Sequence, residues 1–144
     1  MSATIVVSDY KTMAAFGRVL RTSCIIRKRG PDDPIAYSEN KDGSQGIPYQ
    51  PVKFPKGTWI VDKPEATDDL LMAPYFMRTN AHQIIIGTTG SAIMDWGYGI
   101  HFDAEFEDTW GCLHLYSAED AAWLAGQIID IQSTLEDVVQ LVVA

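Results

Sequence analysis

The chain has 144 residues, of which 47% are hydrophobic and 21% charged, and its formal net charge is -8. This length fits a single domain over residues 1–144 with a core of ordinary size. The only basic cluster, Arg27 to Arg29, is too short to follow a nucleic-acid backbone, which argues against nucleic acid as a partner. No stretch approaches the roughly 18 apolar residues of a membrane helix, so we expect a soluble protein without membrane insertion.

The N-terminal part of the chain predicts two strands, a helix and a long loop. Residues 3–7 are a β-branched run typical of a strand, and residues 11–20 have apolar side chains at helical spacing. Residues 23–29 predict a second strand, which a cluster of turn residues ends. Residues 38–57 are rich in proline and glycine, and we therefore expect a long surface loop there.

The remainder of the chain predicts further strands and one helix. Aromatic and β-branched content indicates strands at 57–61, 75–78, 83–86, 97–102 and 110–116. The two glycines of 97–102 indicate close approach of another backbone or of a ligand.

Ser117 is predicted to open a helix over residues 117–130, because its hydroxyl can accept a hydrogen bond from the amide of Asp120. Residues 138–143 could extend that helical region, but their β-branched content favours a closing strand. The expected fold is mainly β, a β-sandwich or half-closed barrel with an N-terminal helix and one main C-terminal helix.

Cysteine and histidine are the candidates for chemistry. Cys24 and Cys112 are expected to be free thiols, since a domain of this size needs no disulfide. The three histidines and two cysteines show no Cys-x-x-Cys or His-x-x-x-His spacing, so no metal site is predicted.

His101 and Cys112 could form a base and nucleophile pair. They are 11 residues apart, enough for a strand, a loop and a returning strand that place imidazole against thiol. Gly111 lets a substrate approach the Cys112 amide, and His114 projects from the same strand face as Cys112. The structural alternative is a buried, inert Cys112 beside a half-exposed His101.

Residues 97–115, GYGIHFDAEFEDTWGCLHL, resemble the active-site segment of the L,D-transpeptidase catalytic domain, the YkuD-like family of β-sandwich cysteine enzymes. That family carries Ile-His-Gly, a loop, and Ser-His-Gly-Cys-Ile-Arg-Leu before a helix. Residues 54–61 are similar to its Thr-Pro-x-Gly-x-Phe-x-Ile strand, and residues 73–78 to its Met-Pro-Tyr-x-Met segment. The matches follow the family order over residues 47–128.

The chain departs from this pattern at Phe102, Trp110 and His114, which replace a glycine, a histidine and an arginine of the family. The loop between His101 and Cys112 is also shorter. Its Asp-Thr-x-Gly-Cys ending resembles a group of phage-associated proteins with Asp-Thr-Glu-Gly-Cys at this point.

The resemblance implies a cysteine-dependent transferase or hydrolase for a peptidoglycan-type peptide, working by acyl transfer or amide hydrolysis without a cofactor. Cys112 would be the nucleophile and His101 the base that takes its proton. The implied ligand is a peptide or other small molecule with a carboxylate, and the oligomeric state is left open. The candidate substrate contacts are His114, Trp110, Gly111, Arg78 and Tyr98, and a surface ion pair is the alternative role of Arg78.

A second hypothesis is a catalytically inactive binding module on the same scaffold, holding a small molecule or a partner protein. Residues 1–7 lack the features of a secretory signal, so we expect a cytoplasmic protein unless a leader was removed. Periplasmic or cell-wall action would then require release, as for a phage enzyme that passes a membrane lesion. Peptidoglycan is crosslinked outside the membrane, and the lack of a signal therefore favours the binding module.

Overall fold

The fold consists of short strands, most of them in one sheet, and one helix. The structure, a computed structural model, describes residues 3–24, 37–39, 45–48, 54, 56–68, 73–80, 82–85, 92–95, 98–102 and 112–144. Within these ranges the elements are, in chain order, β1 (Ala3–Ser8), β2 (Thr12–Ala15), β3 (Arg18–Cys24), β4 (Tyr37–Glu39), β5 (Gln45–Pro48), β6 (Gly57–Ile60), β7 (Glu65–Ala66), β8 (Tyr75–Arg78), β9 (His82–Ile85), β10 (Ala92–Asp95), β11 (Gly99–Phe102), β12 (Leu113–Leu115), α1 (Ala118–Ser133) and β13 (Val139–Val143). No helix in this part of the chain is long and apolar enough to cross a membrane.

Nine of the strands form one curled sheet in the order β6-β13-β1-β2-β3-β12-β11-β8-β7. β1 pairs with β13 and β11 with β12 in parallel, and the other neighbours are antiparallel. The curl brings distant strands together, since Val61 after β6 bridges Thr79 after β8. The Asn80 amide donates a hydrogen bond to the Ile60 carbonyl (3.0 Å), and the Asn80 side-chain Oδ1 accepts one from the Ile60 amide (2.8 Å). The result is a half-closed barrel with one C-terminal helix, as the mainly β prediction expected.

The core lies between one face of this sheet and α1. Alternate residues of β1 and β13 are buried, among them Ile5 and Leu141, and they share a cluster with Leu113 of β12. The helix adds its apolar stripe to the same cluster, namely Ala121, Leu124, Ala125 and Ile128. Burial of a leucine or isoleucine contributes about 1.5–3 kcal/mol, so these contacts fix the helix on that face.

The prediction of an N-terminal helix over residues 11–20 is wrong. The segment forms β2, a turn and the beginning of β3, and its buried residues follow the period of a strand, with Met13 and Ala15 inside. The turn residues Phe16 and Gly17 have φ angles of 50° and 82°. Two positive φ angles define the tight hairpin turn that matches strand twist, and glycine adopts one of them without strain. Tertiary pairing therefore overrode an apolar spacing that also suited a helix.

The prediction of an unbroken loop over residues 38–57 is also wrong in part. β4 and β5 pair there in antiparallel fashion, with Tyr37 opposite Pro48 and Glu39 opposite Gln45. The predicted second strand covers Ser23 and Cys24 of β3, and residues 25–29 lie outside the described residues.

The C-terminal predictions are confirmed. The Ser117 hydroxyl accepts a hydrogen bond from the Asp120 amide at 3.0 Å and caps α1. β13 is the closing strand, and it lies between β6 and β1 in the centre of one half of the sheet.

Candidate functional site

Two histidines lie side by side on the parallel strands β11 and β12. His101 and His114 are register partners, and their ring centroids are 5.5 Å apart. Cys112 lies one residue before β12 and two residues before His114. Because side chains alternate along an extended chain, Cys112 projects from the same face as both histidines. The structure therefore brings together the three residues on which the sequence hypothesis depends.

These side chains occupy the outer face of the sheet, away from α1. Ile100 and Leu113, which flank the site residues in sequence, belong to the core cluster on the inner face. Elsewhere the outer face is open, and Val19 is 73% exposed. His101 and His114, by contrast, are only 1% and 0% exposed, and Cys112 is 6% exposed. Burial is thus particular to this part of the outer face, and it contradicts the half-exposed His101 of the structural alternative.

The tautomer of His101 follows from its hydrogen bond. Nδ1 lies 2.8 Å from the carbonyl oxygen of Phe102. A carbonyl oxygen can only accept, so Nδ1 carries the proton, and Nε2 of the neutral ring has the lone pair that a general base needs. The Phe102 carbonyl therefore orients the His101 ring.

Phe76 of β8 supports the other side of the His101 ring. The two residues are register partners, and their ring centroids are 5.5 Å apart. The Phe76 ring also covers Gly99, where an added Cβ would lie 2.7 Å from Phe76 Cζ and 2.7 Å from the carbonyl oxygen of Met77. The glycine signal in the sequence therefore did mark close approach of another backbone. Phe76 is the supporting residue that sequence reasoning missed, although its segment had been singled out.

The remaining candidate residues divide between the site, the core and the undescribed part of the chain. Arg78 is the register partner of Gly99 and lies on the outer face, where its Nε is 3.8 Å from Glu65 Oε1. Tyr98 is fully buried in the core, with ring centroids 5.1 Å from Phe54 and 5.7 Å from Trp59. Its side chain is therefore not among those gathered at the histidine pair. Trp110 and Gly111 lie outside the described residues.

The two thiols lie on opposite faces of the sheet. Cys24 is the register partner of Leu113 and packs against the core, whereas Cys112 projects outward. Both are free, as the sequence predicted. The Cys24 sulfur accepts a hydrogen bond from the Phe54 amide at 3.4 Å, so it has a structural contact on the inner side.

No group of three histidine, cysteine, aspartate or glutamate side chains within the described ranges is arranged to hold a metal ion. Cys112, His101 and His114 offer a thiol and two imidazoles. Comparison with models of known protein families, with curated proteins and with solved structures gives no match for this chain.

Proposed function

We propose that the protein is a cysteine-dependent acyl-transfer or amide-hydrolysis enzyme in which Cys112 is the nucleophile and His101 the general base. One observation carries the proposal: His101 is the register partner of His114, two residues from Cys112, and its Nδ1 is bound to the Phe102 carbonyl. Adjacent strands lie about 4.8 Å apart and rise about 3.3 Å per residue, so Cα atoms offset by two residues are about 8 Å apart, within reach of an imidazole and a thiol.

In the proposed reaction, the Cys112 thiol transfers its proton to His101 Nε2 and the sulfur attacks the substrate carbonyl carbon. The carbonyl electrons move to oxygen, where the Cys112 backbone amide is the candidate donor to the oxyanion. The C–N bond then breaks, the amine takes the proton from His101, and a thioester remains. Water or a second amine attacks the thioester and releases Cys112.

The proposed substrate is a peptide with a free carboxylate, of the peptidoglycan type that the motif resemblance implies. Arg78 lies two residues from Phe76 on the outer face and is held by a partly exposed ion pair with Glu65. An exposed pair of this kind contributes little stability, so a substrate carboxylate can replace Glu65 at small cost. His114 is the second candidate for that contact, at the position where the related motif has arginine.

A second candidate function is a binding module without turnover. The observation that favours it is the 6% exposure of Cys112, because buried structural cysteines are generally inert. In this case the histidine pair would be a structural element beneath a ligand or partner protein.

Alkylation kinetics test the enzyme proposal. Brief treatment with iodoacetamide at neutral pH, followed by mass-spectrometric mapping, should label Cys112 faster than Cys24, because His101 and His114 lie on the Cys112 face whereas Cys24 is opposite Leu113. His101→Ala should remove this advantage and also prevent formation of an acyl-enzyme with a β-lactam or peptide probe.

His114→Ala is the matched control, since its ring is equally buried and lies against the His101 ring. It should leave the alkylation rate largely intact and weaken binding of the carboxylate substrate. Unchanged labelling of Cys112 in His101→Ala, together with unchanged ligand affinity in Cys112→Ala, would establish the binding module instead.

A further inference from the structure

A polar pocket opens on the same face, next to the histidine pair. Its volume is about 370 Å³, within the usual range for small-ligand sites. Lys11 from the turn between β1 and β2, Arg21 and Ser23 of β3, and Tyr116 after β12 contribute to its lining.

The pocket is continuous with the candidate site through strand register. Ser23 is the register partner of His114, so its side chain lies beside that histidine on the outer face. The Arg21 guanidinium stacks on the Tyr116 ring at 4.3 Å from its centroid, which places both on that face too. Cys112, His114 and Tyr116 therefore lie on one face of β12 and of the residues that flank it. At about 3.3 Å per residue, Tyr116 is about 13 Å from Cys112.

The charge in the pocket favours an anion. Lys11 and Arg21 face one carboxylate, Asp9, in a chain whose net charge is -8. Neither cation has an ion-pair partner among the described residues. Stacking on Tyr116 holds the Arg21 guanidinium plane in place, and a fixed guanidinium fork suits the two oxygens of a carboxylate.

We propose that this pocket binds the terminal carboxylate of an extended peptide substrate whose reacting carbonyl lies about four residues away, at Cys112. The position of the reacting carbonyl rests on the function proposed above, whereas anion binding in the pocket does not. For this carboxylate the pocket is an alternative to His114 and to Arg78, which lies at the level of Gly99, on the opposite side of the histidine pair from Tyr116. Because the thiol and the anion pocket are a fixed distance apart, we expect a preference for substrates whose reacting carbonyl and terminal carboxylate are separated by that distance.

Calorimetric titration tests the pocket, with acetyl-tetraalanine as the probe and its C-terminal amide as the uncharged comparison. The carboxylate form should bind at least roughly tenfold more tightly than the amide, and Arg21→Gln should remove that difference. Arg18→Gln is the matched control, because Arg18 is also on β3 and stacks on Trp123 at the same 4.3 Å, away from the pocket. It should change affinity by less than about twofold.

Equal affinity for the acid and the amide, or equal loss in Arg18→Gln and Arg21→Gln, would overturn the pocket assignment. Cys112→Ala should retain the preference for the acid, so failure of the catalytic proposal is separable from failure of this one.

The preference for one substrate length is tested separately with a series of iodoacetamido-alkanoic acids. The distances between their reactive carbon and their carboxylate range from below to above about 13 Å. The rate of Cys112 alkylation should peak at the matching span in the wild type and in Arg18→Gln, and the peak should disappear in Arg21→Gln. Cys24, on the inner face, is the internal reference and should show no optimum. A flat dependence on length, or no labelling of Cys112 at any length, would overturn the alignment of pocket and thiol even if anion binding holds.

Discussion

Replacing Gly99 with alanine tests whether close packing of β8 against β11 supports the site. The new Cβ would lie 2.7 Å from the Met77 carbonyl oxygen and 2.7 Å from Phe76 Cζ. The Phe76 ring can rotate away, but the Met77 oxygen belongs to the backbone of the neighbouring strand, with Met77 opposite Ile100. Relief of the backbone contact therefore requires a shift of one strand relative to the other.

The expected cost follows from two opposing contributions. Overpacking of a tight position costs about 1–3 kcal/mol. Exchange of glycine for alanine in a strand returns about 0.5–1 kcal/mol by reducing the entropy of the unfolded chain. We expect a net loss of up to about 2.5 kcal/mol in the free energy of unfolding, centred on about 1 kcal/mol, which for a chain of this length lowers Tm by roughly 2–4 °C.

Urea unfolding and thermal melting measure this loss, and Gly126→Ala is the matched control. Gly126 is an exposed helix residue whose added Cβ would meet nothing within 4 Å, so the control should gain up to about 1 kcal/mol. Phe76→Leu removes Cζ, and Gly99→Ala should cost less in that background if the ring shares the strain. A Gly99→Ala variant as stable as Gly126→Ala would refute the reasoning.

Two further predictions concern a cap and a pH dependence. Ser117→Ala removes the hydrogen bond from the Asp120 amide and should lower the free energy of unfolding in urea by about 1 kcal/mol. Ser117→Thr keeps a capping hydroxyl and should lose less; an equal loss in both variants would contradict a capping role. Burial, and secondly the charge of Cys24, raises the pKa of Tyr10 above 10.0. The unfolded chain ionises first, so the stability from Tyr10 is complete below about pH 10 and is lost as pH rises through the folded pKa. Tyr10→Phe should flatten this alkaline decline and cost about 1 kcal/mol at neutral pH by removing the bond to the Phe54 carbonyl, whereas parallel curves for both proteins would contradict it.

The part of the site formed by Cys112 and His114 was predictable, because these residues are close in sequence. Cys112 and His114 are two apart, so strand periodicity alone placed them on one face. The pairing of His101 with His114 depends on the register of β11 with β12. The spacing in the sequence allowed this register but did not predict it. The burial of these residues was not predictable, because the same face is exposed at Val19.

The sequence by itself determined the local features of this protein. Ser117 caps the helix it was expected to cap, and β13 follows from its β-branched residues, because each depends on neighbouring residues alone. Tertiary structure decided that residues 12–24 form a hairpin and that Cys24 and Cys112 face opposite ways. It also placed Arg21 and Ser23 beside the histidine pair, because strands far apart in sequence take their register from closure of the sheet around one core.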